Sequence, residues 1–191
     1  MTEQNVTLEE MLMARELRRE NQRVLIENFG TPLISFTLNT PGPVKMSDRI
    51  EQCFEEGVSI IEEVLRENGI NIIFSQKEKR VTGCEYYGVA DCEALPLKRL
   101  LTEIEDNAPL GRLYDIDVIG DEGRPVGRSD IGMQGRKCLM CDRDAHECAR
   151  SRRHSVQELA DRMNAMIDEN YGCGDDSWKD MLYKQLIRKR A

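Results

Sequence analysis

Several stretches of the chain repeat hydrophobic residues every three or four positions, the pattern of a helix with one buried face. The first begins at Thr7, which forms a capping-box pattern with Glu10, and we predict that it ends near Asn28, before Gly30. Further helices are predicted over 48–68, 95–106 and 155–170, and a last one from residue 177. Helices therefore account for much of the predicted fold.

Four shorter stretches are rich in β-branched and aromatic residues, and we predict strands over 33–39, 70–75, 84–90 and 112–119. A polar loop with Lys77, Lys79 and Arg80 is predicted between the second and third strands, and a turn at 121–123 pairs the last strand with the segment near Val126. Because strands and helices interleave, the class is α/β or α+β, and of these we predict an α+β fold with a single mixed β-sheet flanked by helices. We expect one domain over 1–170 and a C-terminal helical extension over 171–191.

Two aspartates lie two residues apart in the last long strand. Side chains alternate between the faces of a strand, so Asp115 and Asp117 share one face while Ile116 points to the other. Two adjacent carboxylates repel each other unless a cation lies between them, and magnesium prefers such oxygen ligands together with substrate phosphates. The pair is therefore a candidate magnesium site. The alternative is that both aspartates are solvated on an exposed strand face.

The first helix carries polar residues on the same side as its hydrophobic ones. Arg15, Arg19 and Gln22 share that side with Leu8, Met11, Leu12, Ile26 and Phe29. Arg15 and Arg19 are one turn apart, so they are candidates for binding adjacent phosphates of one ligand. Lys45, which follows a rigid Pro-Gly-Pro loop, is a further phosphate candidate. The alternative for the arginines is that they extend to solvent along the helix or pair with carboxylates at the core edge, and the alternative for Lys45 is an ordinary surface lysine.

A third group of candidates combines thiols with an imidazole. Cys138 and Cys141 form a Cys-x-x-Cys pair and are followed by Cys148 and His154. Thiolates and imidazole are the usual zinc ligands, and a two-residue gap allows two thiolates to reach one ion. The alternative is a set of reduced cysteines packed in a turn. Around them lies a basic island consisting of Arg136, Lys137, Arg143, Arg150, Arg152 and Arg153.

Composition narrows the class of protein. The 191 residues include 35 acidic and 27 basic side chains, a formal net charge of -8, which argues against a nucleic-acid partner. The apolar runs are too short to span a bilayer, so we expect no membrane partner, and the acidic N-terminus does not have the pattern of a secretory signal. Seven cysteines, an odd number, indicate thiols or metal ligands in a reducing compartment, so we expect a cytoplasmic protein.

Several common catalytic motifs do not occur in the sequence. It contains no Walker A loop, no Gly-x-Gly-x-x-Gly after a predicted strand and no Gly-x-Ser-x-Gly turn. These absences argue against P-loop, Rossmann and α/β-hydrolase proteins.

Several segments together resemble one family, the apo-citrate lyase phosphoribosyl-dephospho-CoA transferases. The resemblance runs from about residue 8 to residue 170, and its specificity comes from the order and combination of the segments. They are Met13-Ala14-Arg15-Glu16 through Gln22, Leu33-Ile34-Ser35-Phe36-Thr37 through Pro41-Gly42-Pro43-Val44-Lys45, Gly111-Arg112-Leu113-Tyr114-Asp115-Ile116-Asp117-Val118, and Cys138-Leu139-Met140-Cys141 through Cys148-Ala149-Arg150-Ser151-Arg152-Arg153-His154-Ser155.

The resemblance implies a reaction and a nucleotidyltransferase-like fold. A serine of the apo acyl carrier protein, the gamma subunit of citrate lyase, attacks triphosphoribosyl-dephospho-CoA at the phosphate nearest the ribose, and pyrophosphate leaves. The domain over 1–170 is then the transferase domain. The Asp-x-Asp strand is similar to that of nucleotidyltransferases, although the Gly-Ser element that usually precedes it there is not evident.

On this resemblance each candidate residue takes a role. Asp115 and Asp117 hold magnesium, and one of them helps to deprotonate the serine. The other roles fall to a set of polar residues: Arg15, Arg19 and Arg112 neutralise the leaving pyrophosphate, Gln22 and Lys45 orient the ligand, and Cys138, Cys141, Cys148 and His154 hold zinc or simply pack. The basic island attracts the acidic surface expected of the carrier.

Two other functions stay open on the sequence. The same group could be transferred to another carrier, such as that of malonate decarboxylase. From a different class, the chain could be a zinc-bearing adaptor that binds proteins without catalysis, which explains the Cys-His segment but neither the aspartate pair nor Arg15.

Overall fold

The computed structural model describes residues 4–172 and contains helices on both faces of one sheet. In chain order the elements are α1 (Leu8–Phe29), β1 (Leu33–Leu38), α2 (Asp48–Glu67), β2 (Ile72–Arg80), β3 (Gly83–Ala90), α3 (Ala94–Asn107), β4 (Tyr114–Ile119), β5 (Pro125–Val126), α4 (Ala145–Ser151) and α5 (Val156–Gly172). The α+β class is confirmed. The predicted helix from residue 177 lies outside the described residues. Within the described part, no helix is long and apolar enough to cross a membrane.

The sheet has the strand order β2-β3-β1-β4-β5, and its four strand pairings are all antiparallel. The prediction of a mixed sheet is therefore wrong for the described strands. The helical connections β1-α2-β2 and β3-α3-β4 do join parallel strands, but each connection skips one position in the sheet. Another strand fills each gap and runs the opposite way, so no parallel neighbours arise.

The main hydrophobic core lies between the sheet and α2, α3 and α5. Phe36 of β1 stacks on Phe54 of α2, with ring centroids 5.2 Å apart. Gly57 of α2 lies against the Phe36 ring, where an added Cβ would come within 2.5 Å of the ring carbon Cζ. The helix can therefore approach the sheet closely, and this core fixes β1 in the centre of the molecule.

Two predicted loop regions differ from the structure. Lys77, Lys79 and Arg80 belong to the edge strand β2, not to a loop, because β2 pairs with β3 along its whole length. Lys77 and Lys79 also form ion pairs with Glu51 and Glu55 of α2. The helix α4 was not predicted; Asp144 caps it by accepting hydrogen bonds from the backbone N–H groups of residues 146 and 147.

Candidate active site and Cys3His cluster

The face of the sheet opposite the main core is contacted by α1, which lies across β1 and β3. In the second half of α1, Leu25 and Ile26 pack with Leu33, Val89 and Ile119 in a small hydrophobic cluster. The part of α1 that precedes these two residues instead presents polar side chains to the sheet, including Arg18 and Gln22, and the sheet residues beneath it are also polar. One helix thus divides this face into a packed half and a polar half.

A cavity of about 160 Å³, which we call the α1 pocket, opens in the polar half. Arg15 of α1, Lys45 of the loop after β1 and Asp115 of β4 all line it. These three predicted site residues are far apart in sequence, and the structure brings them together at the C-terminal end of β1. Cations and a carboxylate therefore share one recess.

Arg15 and Lys45 lie close enough to influence each other. Burial, and then the charge on Arg15, lower the pKa of Lys45 below its ordinary value. The Lys45 ammonium donates to the carbonyl oxygen of Thr40 at 2.5 Å, and neither cation forms an ion pair within the described part of the chain. An anionic ligand placed between them would relieve their repulsion.

Arg18, which the sequence analysis did not select, also lines the α1 pocket, whereas Arg19 is exposed outside it. Arg18 donates to the buried carboxylate of Glu85 at 2.9 Å, and Glu85 also accepts from the Tyr87 hydroxyl at 2.5 Å. A helix turns about 100° per residue, so Arg18 and not Arg19 lies nearer the direction shared by Met11, Ala14 and Gln22. A helical-wheel projection of the sequence is sufficient to place Arg18 in this direction.

Asp115 and Asp117 share one face of β4, as predicted, and they pair across the sheet with Thr37 and Ser35 of β1. Gln22 reaches the same row, since its side-chain amide donates to the Ser35 hydroxyl at 2.9 Å. Solvent reaches Asp117, but protein atoms crowd its carboxylate. This desolvation, together with the charge on Asp115, raises the pKa of Asp117 above its ordinary value.

Helix α3 fixes the outer edge of β4 where β5 does not cover it. The buried Lys98 ammonium donates to the carbonyl oxygen of Ile116 at 2.7 Å, and the Ile116 N–H donates to the Glu105 carboxylate at 2.9 Å. Glu105 also pairs with Arg136 at 2.5 Å, and Arg136 lies 3.4 Å from Asp115. The residue between the two aspartates is therefore held through both of its backbone hydrogen-bonding groups.

Arg112 does not join Arg15 and Lys45 in the α1 pocket. It lines a larger cavity of about 350 Å³ beside α3, which we call the α3 pocket, together with Arg128, Arg136 and Lys137. Its guanidinium donates to the carbonyl oxygen of Cys138. The predicted phosphate-binding residues are thus divided between two pockets.

The four predicted zinc ligands lie together. One ligand atom from each of Cys138, Cys141, Cys148 and His154 falls within 4.8 Å of the others, so this Cys3His cluster could hold a metal ion. Burial acts to raise the pKa of the Cys138 thiol, but hydrogen bonds from the backbone N–H groups of Met140 and Cys141 lower it below its ordinary value. The thiolate form, which binds metals, therefore forms more readily at Cys138 than at an ordinary cysteine.

The basic island lies partly in the α3 pocket and partly on the surface around the cluster. Arg136 and Lys137 line the pocket, while Arg150, Arg152 and Arg153 are exposed and form no ion pair within residues 4–172. Arg152 has a left-handed backbone conformation with φ of 47°, which is uncommon for a residue other than glycine. It ends α4 between two members of the Cys3His cluster.

The fold and the site define an α+β protein in which a carboxylate pair and cations line one face of an antiparallel sheet, beside a cluster able to hold a metal. A family model described as apo-citrate lyase phosphoribosyl-dephospho-CoA transferase matches residues 6–170. The chain belongs to this family.

Individual relatives agree with the family match. A protein of Vibrio cholerae serotype O1 (strain M66-2) is 36% identical over 170 residues, which cover 88% of this chain and 95% of the relative. Two proteins named apo-citrate lyase phosphoribosyl-dephospho-CoA transferase, from Citrobacter koseri and Escherichia coli (strain SE11), are 33% identical over 168 residues, which cover 88% of this chain and 92% of each relative.

Proposed function

We propose that the protein transfers the phosphoribosyl-dephospho-CoA group from triphosphoribosyl-dephospho-CoA to a serine of the apo acyl carrier protein of citrate lyase. The serine oxygen forms a bond to the phosphorus nearest the ribose. The bond from that phosphorus to the bridging oxygen breaks, and pyrophosphate leaves with the electron pair. A phosphodiester remains on the carrier, so the chemistry is of the nucleotidyltransferase type.

The meeting of Asp115, Arg15 and Lys45 in the α1 pocket is the observation that carries this proposal beyond the family match. Transfer of a nucleotidyl-like group needs positive charge against the polyphosphate and carboxylates that can hold a metal or accept a proton. Arg15 and Lys45 supply the positive charge. They lie where an anionic ligand would separate two mutually repelling cations.

The carboxylate pair suits magnesium, since two adjacent carboxylates with an unfavourable interaction are a good ligand set for a hard cation. Asp115 and Asp117 would hold the ion, which would neutralise charge on the triphosphate. One of the two aspartates also suits the role of proton acceptor for the serine, because an ionised carboxylate at the site can take up its proton. Gln22 keeps the β1 edge of the site in place through Ser35.

Zinc suits the second cluster, because three thiolates and one imidazole form a complete tetrahedral set for a structural site. We propose that Cys138, Cys141, Cys148 and His154 hold one zinc ion and thereby fix the segment that carries Arg136 and Lys137. Elemental analysis of the purified protein should give about one zinc per chain. A content well below that would contradict the assignment.

The exposed part of the basic island is suited to an acidic protein. Arg150, Arg152 and Arg153 have no carboxylate partner within the described part of the chain, so their charge is available to an incoming surface. We propose that the carrier approaches from this side.

The test is a transfer assay read by the intact mass of the carrier. Purified protein, magnesium, triphosphoribosyl-dephospho-CoA and apo carrier should give a mass gain equal to the prosthetic group. The gain should vanish without magnesium, with Asp115→Asn protein, and with a carrier whose acceptor serine is replaced by alanine.

The same assay separates the competing functions. A mass gain only on the malonate decarboxylase carrier would show that the protein catalyses the same transfer to a different carrier. A folded protein that modifies neither carrier and binds no CoA derivative would contradict the transferase function and favour the zinc-bearing adaptor.

A further inference from the structure

The α3 pocket is larger than the α1 pocket and is not used by the proposed chemical step. Its lining includes four cations and two carboxylates, namely Arg112, Arg128, Arg136, Lys137, Glu105 and Asp106. The charge of the lining is therefore positive in an acidic protein. A ligand for this pocket is expected to be an anion.

Two of the cations are held rigidly by Glu105, whose side chain is only 2% exposed. Arg128 donates to Glu105 at 2.8 Å and to Asp106 at 2.8 Å, and Arg136 donates to Glu105 at 2.5 Å. Both guanidinium groups are thus held by carboxylates before any ligand arrives. A fixed guanidinium retains further N–H donors and matches the geometry of phosphate oxygens.

The excess positive charge belongs to Arg112 and Lys137. Arg112 is hydrogen-bonded to the carbonyl oxygen of Cys138, and no carboxylate within residues 4–172 forms an ion pair with it. Lys137 lies 3.8 Å from Asp142, whose side chain is 95% exposed, so this ion pair is weak. Both charges are available to a ligand.

The two pockets meet at one ion pair. Asp115 lines the α1 pocket, Arg136 lines the α3 pocket, and their charged groups are 3.4 Å apart. A ligand that fills both pockets must pass this contact, so its two anionic groups must be joined by a linker. The donor of the proposed reaction has this form, with a triphosphate on one ribose and a diphosphate within dephospho-CoA.

We propose that the α3 pocket binds the diphosphate of the dephospho-CoA part of the donor while the triphosphate occupies the α1 pocket; this rests on the proposed function. The charges favour placing the diphosphate in the α3 pocket and the triphosphate in the α1 pocket over the reverse assignment. Each phosphate of the diphosphate carries one negative charge, which matches the excess supplied by Arg112 and Lys137. The triphosphate carries more charge and must lie beside the aspartates, where the bond breaks.

The experiment measures two part-ligands separately by isothermal titration calorimetry with the full chain. Dephospho-CoA has the diphosphate and no triphosphate, and inorganic triphosphate has the reverse. Lys137→Ala should weaken dephospho-CoA binding roughly three- to tenfold and leave inorganic triphosphate binding unchanged. Lys45→Ala should weaken inorganic triphosphate binding and leave dephospho-CoA binding unchanged.

A matched control and a second variant guard against indirect effects. Lys77→Ala removes a lysine from β2, at the opposite edge of the sheet, and should change neither affinity. Arg112→Gln should weaken dephospho-CoA binding as Lys137→Ala does, with the metal content and circular dichroism spectrum unchanged. The inference is overturned if the unchanged protein does not bind dephospho-CoA, or if Lys45→Ala weakens its binding as much as Lys137→Ala.

The transfer assay separates this inference from the proposed function. If the protein modifies the carrier but Lys137→Ala does not change dephospho-CoA binding, the inference is overturned and the proposed function stands. Absence of transfer together with Lys137-dependent binding would contradict the proposed reaction and support the pocket as a diphosphate site.

Discussion

At the scale of single residues, Asp117 has a carboxylate whose charge the fold disfavours. Its pKa is raised in the folded protein by desolvation and by Asp115, so its ionised form lowers stability at neutral pH. This effect disappears as the pH falls through the raised pKa, where the carboxyl becomes neutral. Asp117 is therefore a residue at which function and stability oppose each other.

We predict that Asp117→Asn abolishes transfer, by roughly 10²–10³-fold or more, while making the metal-free fold slightly more stable at neutral pH. The gain should be about 1–3 °C in the unfolding temperature, because a solvent-accessible group contributes less than about 1 kcal/mol. It should vanish near pH ~4. Thermal unfolding in chelator at both pH values provides the measurement, and an Asp117→Asn protein less stable than the parent at neutral pH would contradict the argument.

Much of the residue-level site could be predicted from the sequence, because local rules apply to it. Strand alternation placed Asp115 and Asp117 on one face, and cysteine spacing brought Cys138 near Cys141. Arg19 was selected in place of Arg18 because it was grouped with the hydrophobic side of α1, although a turn of 100° per residue places Arg18 closer to the direction of Met11 and Gln22. The separation of Arg112 from Arg15 depends on tertiary packing, which no local pattern reports.

At the scale of elements, α3 acts as a substitute for a missing neighbour strand along β4. Lys98 and Glu105 bind both backbone groups of Ile116, and Glu105 continues to Arg128 and Arg136. Strand β5 is too short to do this, since it pairs only with residues 118 and 119. The position of the carboxylate pair therefore depends on a helix that, within residues 4–172, forms no ion pair with either aspartate.

We predict that Glu105→Gln destabilises the protein by about 3 kcal/mol, because it leaves two arginines without a buried anion. The unfolding temperature should fall by roughly 6–12 °C. Glu67→Gln, an exposed change on α2, is the matched control and should have no effect. Denaturant unfolding monitored by circular dichroism measures both, and equal stability of the two variants would show that Glu105 does not organise this edge.

The boundaries of β2 and the pairing pattern show where element prediction fails. Lys77, Lys79 and Arg80 have the composition of a loop, but an edge strand tolerates charged residues because one side faces solvent. A mixed sheet was expected because helices alternate with strands. The alternation of helices and strands indicates that the two strands joined by a helix are parallel. It does not indicate which other strand lies between them in the sheet.

At the scale of the whole molecule, the Cys3His cluster connects the segment after β5 to the site. The Arg112 guanidinium donates a hydrogen bond to the carbonyl oxygen of Cys138, and Arg136 is only two residues before Cys138. Between Gly127 and Asp144 this segment contains only short helical turns and an isolated bridge, so little regular structure holds it. A bound metal would replace the missing secondary structure as its main constraint.

We predict that removing zinc with a chelator increases hydrogen exchange over residues 134–154 and weakens dephospho-CoA binding, while exchange in β1 and β3 stays low. Cys148→Ser should reproduce the effect. Cys92 lies outside the cluster, so Cys92→Ser should change neither hydrogen exchange nor binding. Hydrogen exchange measured by mass spectrometry tests this, and an unchanged segment after metal loss would show that the cluster packs without a structural ion.

The unequal covering of the sheet has a consequence for the kind of substrate that the protein can use. Helices α2, α3 and α5 close one face, whereas α1 shields only the β1 and β3 side of the other and leaves Asp115 and Asp117 accessible along β4. A small molecule could be enclosed by a deeper cavity. A folded carrier protein cannot enter such a cavity, so an open flank suits a reaction in which a serine on another protein must reach the site.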